Sequence, residues 1–109
     1  MKTARIADLA RIIRSKNAGP YELTLDVFFK DEETYRMVRA KRLIDRALIR
    51  RLYRVDDDLI SEIVYYDPAR AVKVTLARPI PSGSVNDTDV YGAQQHMPLV
   101  DAEVPWENI

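Results

Sequence analysis

The only histidine of this chain, His96, lies in the polar segment "DTDVYGAQQH" near the C-terminal end. Asp89, Tyr91, Gln94 and Gln95 precede it in the same segment and offer hydrogen-bonding groups. An unperturbed imidazole has a pKa near ~6.5, so His96 is a candidate general base. A histidine needs an orienting partner and a positioned substrate before it moves a proton. The interpretation that we favour is a histidine that bonds loop carbonyls or lies at an interface.

Candidate anion-binding residues occur in two other polar segments. The segment "RSKNAG", predicted as a loop, contains Ser15, Lys16 and Asn17, and a predicted hairpin carries Arg70 and Lys73. A glycine-bearing turn that presents N–H groups and an ammonium group can bind a carboxylate, a phosphate or a CoA ester. If these segments converge on the histidine segment, they form one pocket. The alternative is a solvent-exposed turn in which a glycine supplies a positive φ angle.

Composition excludes several classes of function. Basic and acidic residues both number 17, so the chain lacks the excess positive charge on which nucleic-acid binding depends. The absence of cysteine excludes thiolate nucleophiles and cysteine-ligated zinc. The three glycines form no phosphate-binding or dinucleotide-binding motif. We therefore expect no metal and no cofactor, and either acid–base chemistry or a non-catalytic binding role remains.

Length and hydropathy predict one globular domain outside the membrane. Apolar residues make up 47% of the 109 residues, which is enough for a single packed core. No apolar run approaches the ~18 residues of a membrane span, and the N-terminal segment lacks the apolar stretch of a leader peptide. We expect a cytoplasmic protein without membrane contact.

Hydrophobic periodicity predicts strands and helices. Alternating apolar residues predict a β-hairpin and one further strand, whereas apolar residues spaced by three and four, with acidic residues near the first turn, predict two helices. The strands are Tyr21–Phe29, Glu62–Tyr66 and Ala71–Arg78, and the helices are Asp31–Ala40 and Asp45–Val55. Leu9–Arg14 fits either a helix or a strand, and we favour a strand.

These elements predict an α+β fold, a two-layer sandwich with a mainly antiparallel sheet and two helices on one face. The second face of the sheet should then carry Thr24, Asp26, Lys73 and Thr75. Residues 1–79 supply this core. Residues 80–109, which show no sustained periodicity, are predicted to form an extended tail that packs on the core or on a partner.

Three blocks resemble a known family. The blocks "RSKNAGPYELTLDV", "DPARAVKVTLARPIPSGS" and "DTDVYGAQQHMPL" resemble the bacterial and archaeal domain of unknown function 4387. More distantly, "LARIIRSKNAG", a helical pair and the Asp89–Gly92 segment look like the ferredoxin-like domain attached to the acyclic terpene utilisation protein A family. That domain has Arg-Ser-Gly-Asp-Lys-Gly where this chain has "RSKNAG".

The resemblance implies a ferredoxin-like fold and an association with the large protein of the acyclic terpene utilisation family. The expected role is an accessory subunit in acyl-CoA or branched organic acid catabolism, and we expect a homodimer when the chain is alone. The alternative is a small lyase or hydratase for a carboxylate or acyl-CoA substrate. In that case Lys16, Lys73 or Arg70 holds the acid and His96 moves the proton, so the sequence leaves open whether the protein is an enzyme.

Overall fold

The computed structural model describes residues 2–19, 22–77 and 97–106. Four antiparallel strands form the main sheet in the spatial order β2-β3-β5-β4. They are β2 (Ala10–Gly19), β3 (Glu22–Phe29), β4 (Ile60–Tyr66) and β5 (Ala71–Ala77). The two central strands, β3 and β5, therefore come from different hairpins. The edges of this sheet are β2 and β4.

Two helices lie between the hairpins in sequence and cover one face of the sheet. They are α2 (Glu32–Lys41) and α3 (Arg46–Tyr53). Each begins after an aspartate, as predicted to within one residue. The Asp31 carboxylate accepts a hydrogen bond from Thr34 N at 2.7 Å, and the Asp45 carboxylate accepts one from Leu48 N at 2.9 Å. These bonds satisfy N–H groups that a helix leaves without an internal partner.

The core lies between these helices and the sheet. Alternation along β3 and β5 places most of the apolar side chains of both strands on the face under the helices. Leu25, Val27 and Val72 are fully buried there against Val38 of α2 and Ile49 of α3. The predicted α+β two-layer sandwich, with two helices on one face of a mainly antiparallel sheet, is therefore confirmed.

The order of elements differs from that of a ferredoxin-like domain. Such a domain alternates β-α-β-β-α-β, whereas the main sandwich here runs strand, strand, helix, helix, strand, strand. The ferredoxin-like description therefore holds for the layers and not for the path of the chain through them.

The ambiguous N-terminal segment contains both a helix and a strand. A one-turn helix, α1 (Ile6–Leu9), is followed directly by β2. Leu9–Arg14 is therefore strand from its second residue onward, as favoured. The prediction of a loop at "RSKNAG" is wrong, because β2 continues through this segment to Gly19 and pairs with β3 along its length. That pairing gives its backbone groups partners that a solvent turn would lack.

The described part of the C-terminal segment packs on the sandwich. Helix α4 (Met97–Asp101) is followed by β6 (Glu103–Pro105), which pairs antiparallel with β1 (Thr3–Arg5) in a separate two-stranded sheet. Leu99 is fully buried in the core cluster and Val104 is almost so. Residues 97–106 thus contribute to the same hydrophobic core as the sandwich. Within the described ranges, no helix has both the length and the apolar character needed to cross a membrane.

Candidate functional site

The face of the main sheet opposite α2 and α3, here called the open face, combines polar and apolar side chains. As predicted, this face carries Thr24, Asp26, Lys73 and Thr75. The register of β3 and β5 places Thr24 opposite Thr75 and Asp26 opposite Lys73. The two threonines and the aspartate are buried, whereas Lys73 is exposed. The face is therefore polar at its centre.

One end of the open face is apolar across all four strands. Ile12 on β2 pairs with Phe28 on β3, Phe28 pairs with Ala71 on β5, and Ala71 pairs with Tyr66 on β4. We call these four residues the apolar row. Ile12 is 42% exposed and Tyr66 is 55% exposed. Val64, two residues before Tyr66 and on the same side of β4, is 39% exposed. These three are the exposed large hydrophobic residues of the described chain, and all lie on one face.

An ion pair borders the apolar row. Arg14 Nε lies 3.2 Å from Asp26 Oδ2, and the Arg14 guanidinium lies over the Phe28 ring at 4.9 Å from its centroid. The buried Asp26 carboxylate thus has a charged partner from the neighbouring strand, as a buried charge requires. The same arginine fixes the orientation of one aromatic ring of the row through a cation–π contact.

The predicted anion-binding residues are divided between different parts of the fold. Lys16 and Lys73 lie on the open face, because they pair across the sheet with Thr24 and Asp26. Ser15 faces the opposite side, since neighbouring residues of a strand alternate. Asn17 belongs to β2 and pairs with Leu23.

Arg70 lies at the other end of the sheet from Lys16. It follows the 3-10 turn Asp67–Ala69 in a left-handed conformation with φ 52°, and its carbonyl accepts a hydrogen bond from Phe29 N. Lys16 pairs with Thr24, five residues from Phe29, so roughly 17 Å of strand separates the two positions. The structure therefore does not bring Arg70 to Lys16.

The histidine segment lies outside the described residues. This applies to the candidate catalytic residue His96 and to Asp89, Tyr91, Gln94 and Gln95. Their convergence with the lysines of the open face stays a prediction. Among the described residues, no group of three or more histidine, aspartate or glutamate side chains is arranged to hold a metal ion.

A hydrogen-bonded cluster joins α2 to the turn between β4 and β5. The Tyr35 hydroxyl donates to Asp67 Oδ1, and Arg39 Nη1 donates to Asp67 Oδ2 at 2.8 Å. Burial, and then the hydrogen bond to the carboxylate, raise the pKa of Tyr35 to about 12. The bonds from Tyr35 and Arg39 hold the pKa of Asp67 below its usual range. Both pKa shifts favour the forms present at neutral pH, which are the neutral tyrosine and the ionised aspartate. This cluster is therefore suited to holding α2 against the turn between β4 and β5, and not to proton transfer at neutral pH.

A groove runs along the outer edge of β4. Its volume is about 500 Å³. One wall comes from β4 and the other from the segment around the start of α3, and the lining residues of β4 are Ser61, Glu62, Ile63 and Tyr65. The Tyr65 hydroxyl joins the two walls, because it donates to Ile44 O at 2.7 Å and accepts from Ile44 N at 3.2 Å. The Arg42 guanidinium lies 5.8 Å from the centroid of the Tyr65 ring. Sequence patterns gave no sign of this groove, because its walls come from segments about twenty residues apart.

A family model described as "Domain of unknown function (DUF4387)" matches residues 6–103. The chain belongs to this family. The match includes all of the main sheet, α2, α3 and the apolar row, so the open face is part of the family domain. Neither the search of curated proteins nor the search of solved structures finds a match.

Proposed function

We propose that this DUF4387 protein is a non-catalytic partner subunit that docks onto a larger enzyme through its open face. The partner is the large protein of the acyclic terpene utilisation family, and the setting is cytoplasmic catabolism of acyl-CoA or branched organic acids. The observation that carries the docking role is the location of Ile12, Val64 and Tyr66, which expose large apolar surface on the same face. The identity of the partner rests on the resemblance of the sequence blocks.

The geometry of the open face suits a protein partner. A side chain that is half exposed in the free chain gains apolar burial when a second surface covers it, and tyrosine is common among residues that dominate binding energy. The apolar row supplies two side chains of this kind, Ile12 and Tyr66. Lys73, which makes no ion pair with the described residues, lies next to Val64 and offers a contact to an acidic group at the rim. We therefore expect an apolar patch with an acidic border on the partner.

One observation favours the alternative of a small lyase or hydratase. Lys16 and Lys73 share the open face without an ion pair to the described residues. They lie two strands apart with an offset of two residues, which corresponds to roughly 12 Å between their Cα atoms. Long lysine side chains can span that distance around one phosphate or carboxylate. This arrangement supplies charge but no acid–base pair, so we place it second.

Co-expression with the large protein tests the docking role. Size-exclusion chromatography should show a stable complex with the unaltered chain, and calorimetry should show at least about tenfold weaker binding for Ile12→Ser, since this change removes an exposed apolar contact of the row. Met37→Ser is the matched control, because Met37 is a partly exposed apolar residue on α2, away from the open face.

Three outcomes would contradict the docking role. Absence of a complex with the unaltered chain would refute the named partner. A complex that is weakened equally by Ile12→Ser and Met37→Ser would refute the open face as its surface. Turnover of a carboxylate or an acyl-CoA by the isolated chain, abolished in Lys16→Ala and Lys73→Ala, would replace the docking role with the enzymatic one.

A further inference from the structure

The two edges of the main sheet differ in how they are protected against pairing with another strand. An edge strand presents unpaired N–H and C=O groups, and natural proteins commonly protect it with charges. The β2 edge carries Arg11, Arg14 and Lys16, all exposed, and no acidic residue. Two such edges repel each other. The β4 edge, "ISEIVYY", carries Glu62 as its one charged residue and has no proline.

Among the described residues, five consecutive residues of β4 have no partner strand on their outer side. At its beginning, the register is shifted between Ile60 and Glu62, and Arg46 Nη1 donates to Ile60 O at 3.1 Å. This bulge and this side chain block the first residues of the strand. The strand ends at Tyr66, where the 3-10 turn begins. Within the described part of the chain, Glu62–Tyr66 is therefore the segment that can accept another strand, and the 500 Å³ groove lies beside Glu62, Ile63 and Tyr65.

We propose that a second copy of this chain adds to the sheet through β4, with β4 antiparallel to its equivalent and a two-fold axis beside Val64. Val64 is the midpoint of the open segment, so this register uses all five of its residues. It places Val64 opposite Val64 of the other copy, Ile63 opposite Tyr65, and Glu62 opposite Tyr66. The four-stranded sheets then join into one eight-stranded sheet.

The side chains of β4 favour a second copy of this chain as the strand that pairs with it. In this register every charged residue faces an uncharged one, and Glu62 meets an aromatic ring with a hydroxyl group, so no like charges lie opposite each other. Apart from Glu62, the paired side chains are β-branched or aromatic, the types that stabilise neighbouring strands. Val64 and Tyr66, which are 39% and 55% exposed, both gain contacts. The inference does not require the large protein, because strand pairing uses the edge of the sheet, although Val64 and Tyr66 also belong to the face proposed for docking.

Cysteine cross-linking tests the register directly, since the chain contains no cysteine. Directly opposed residues of antiparallel strands have Cα atoms about 4.5–5.5 Å apart, within the range that a disulfide spans. Val64→Cys should therefore form a covalent dimer under mild oxidation of the isolated chain. Ile12→Cys, a similarly exposed position on the cationic edge, is the matched control and should form no covalent dimer. A mixture of Glu62→Cys and Tyr66→Cys chains should cross-link, and each chain alone should not.

Analytical ultracentrifugation supplies the second measurement. The unaltered chain should show a reversible dimer, and Val64→Lys should raise its dissociation constant by at least about tenfold at low salt, because two lysines would meet on the two-fold axis. A monomer at every concentration, or equal cross-linking by Val64→Cys and Ile12→Cys, would overturn the proposal. Both experiments omit the large protein, so failure here leaves the docking test with Ile12→Ser intact.

Discussion

The two faces of the main sheet are built from the same strands but have different roles. Under the helices, β3 and β5 contribute Leu25, Val27 and Val72, which are fully buried. On the open face, the residues between them are polar, and the large apolar side chains Ile12 and Tyr66 remain exposed at one end. Stability is therefore concentrated on one side of the sheet, while the exposed apolar side chains of the other side can change with little cost to folding. This contrast yields measurable differences between variants.

Leu25→Ala should have the largest effect on stability. Leu25 has no exposed surface and lies in the centre of the core between β2 and β5. Removing three buried carbon atoms costs transfer free energy and leaves a cavity, so we expect the free energy of unfolding to fall by about 2–5 kcal/mol. Denaturation in urea measures this change. A loss below about 1 kcal/mol would contradict the assignment of this face as the core.

Asp45→Ala should have the next effect, at the start of α3. Its carboxylate accepts the hydrogen bond from Leu48 N at 2.9 Å, and removal leaves that N–H group without its cap. We expect a loss of about 1 kcal/mol in the free energy of unfolding. Asp45→Asn is the matched control, because asparagine also caps helices and should retain most of the stability.

The Tyr35–Asp67 bond should make stability depend on pH at both extremes. The pKa of Tyr35 is raised to about 12, so its contribution is complete below the unfolded value of 10 and is lost as pH rises towards 12. The pKa of Asp67 is lowered, so its contribution is complete above about pH 4 and is lost as pH falls. Relative to Tyr35→Phe, the unaltered chain should be more stable near pH 7, and the difference should shrink at both extremes. A difference that stays constant with pH would contradict this coupling.

Ile12→Ser should have the smallest effect on folding. Ile12 is 42% exposed and belongs to the open face, so little apolar burial is lost. We expect the free energy of unfolding to change by less than about 1 kcal/mol, although this variant is expected to lose binding to the large protein. A loss as large as that of Leu25→Ala would remove the contrast between the two faces.

Local signals in the sequence located most of the sandwich. Alternation in "LTLDVFF" and "VKVTLA" identified β3, β5 and their two faces, because a strand repeats every two residues. Acidic residues near the first turn and apolar residues spaced by three and four located both helices, which begin one residue after the predicted starts at Asp31 and Asp45. These features depend on neighbouring residues only, which is why one sequence was sufficient.

Two kinds of feature escaped this reasoning. Both helices end at arginines in the left-handed conformation, Arg42 with φ 49° and Arg54 with φ 54°, although glycine is the usual residue there. No glycine marks either end. The path of β2 was also hidden, because Ile6, Leu9 and Ile13 fit a helix, whereas Leu9–Arg14 fits a strand equally well. Pairing with β3 decides in favour of a strand from Ala10 onward.

The sequence by itself determined the two-layer architecture, the polar centre of the second sheet face and the membership of the family. The tertiary structure decided which side chains meet. The apolar row draws one residue from each of four strands, and the bond between Tyr35 and Asp67 joins residues 32 positions apart. The order β2-β3-β5-β4 leaves β4 at an edge, which exposes the segment proposed for self-pairing. Such features follow from register and strand order, which long-range pairing fixes and local patterns do not encode.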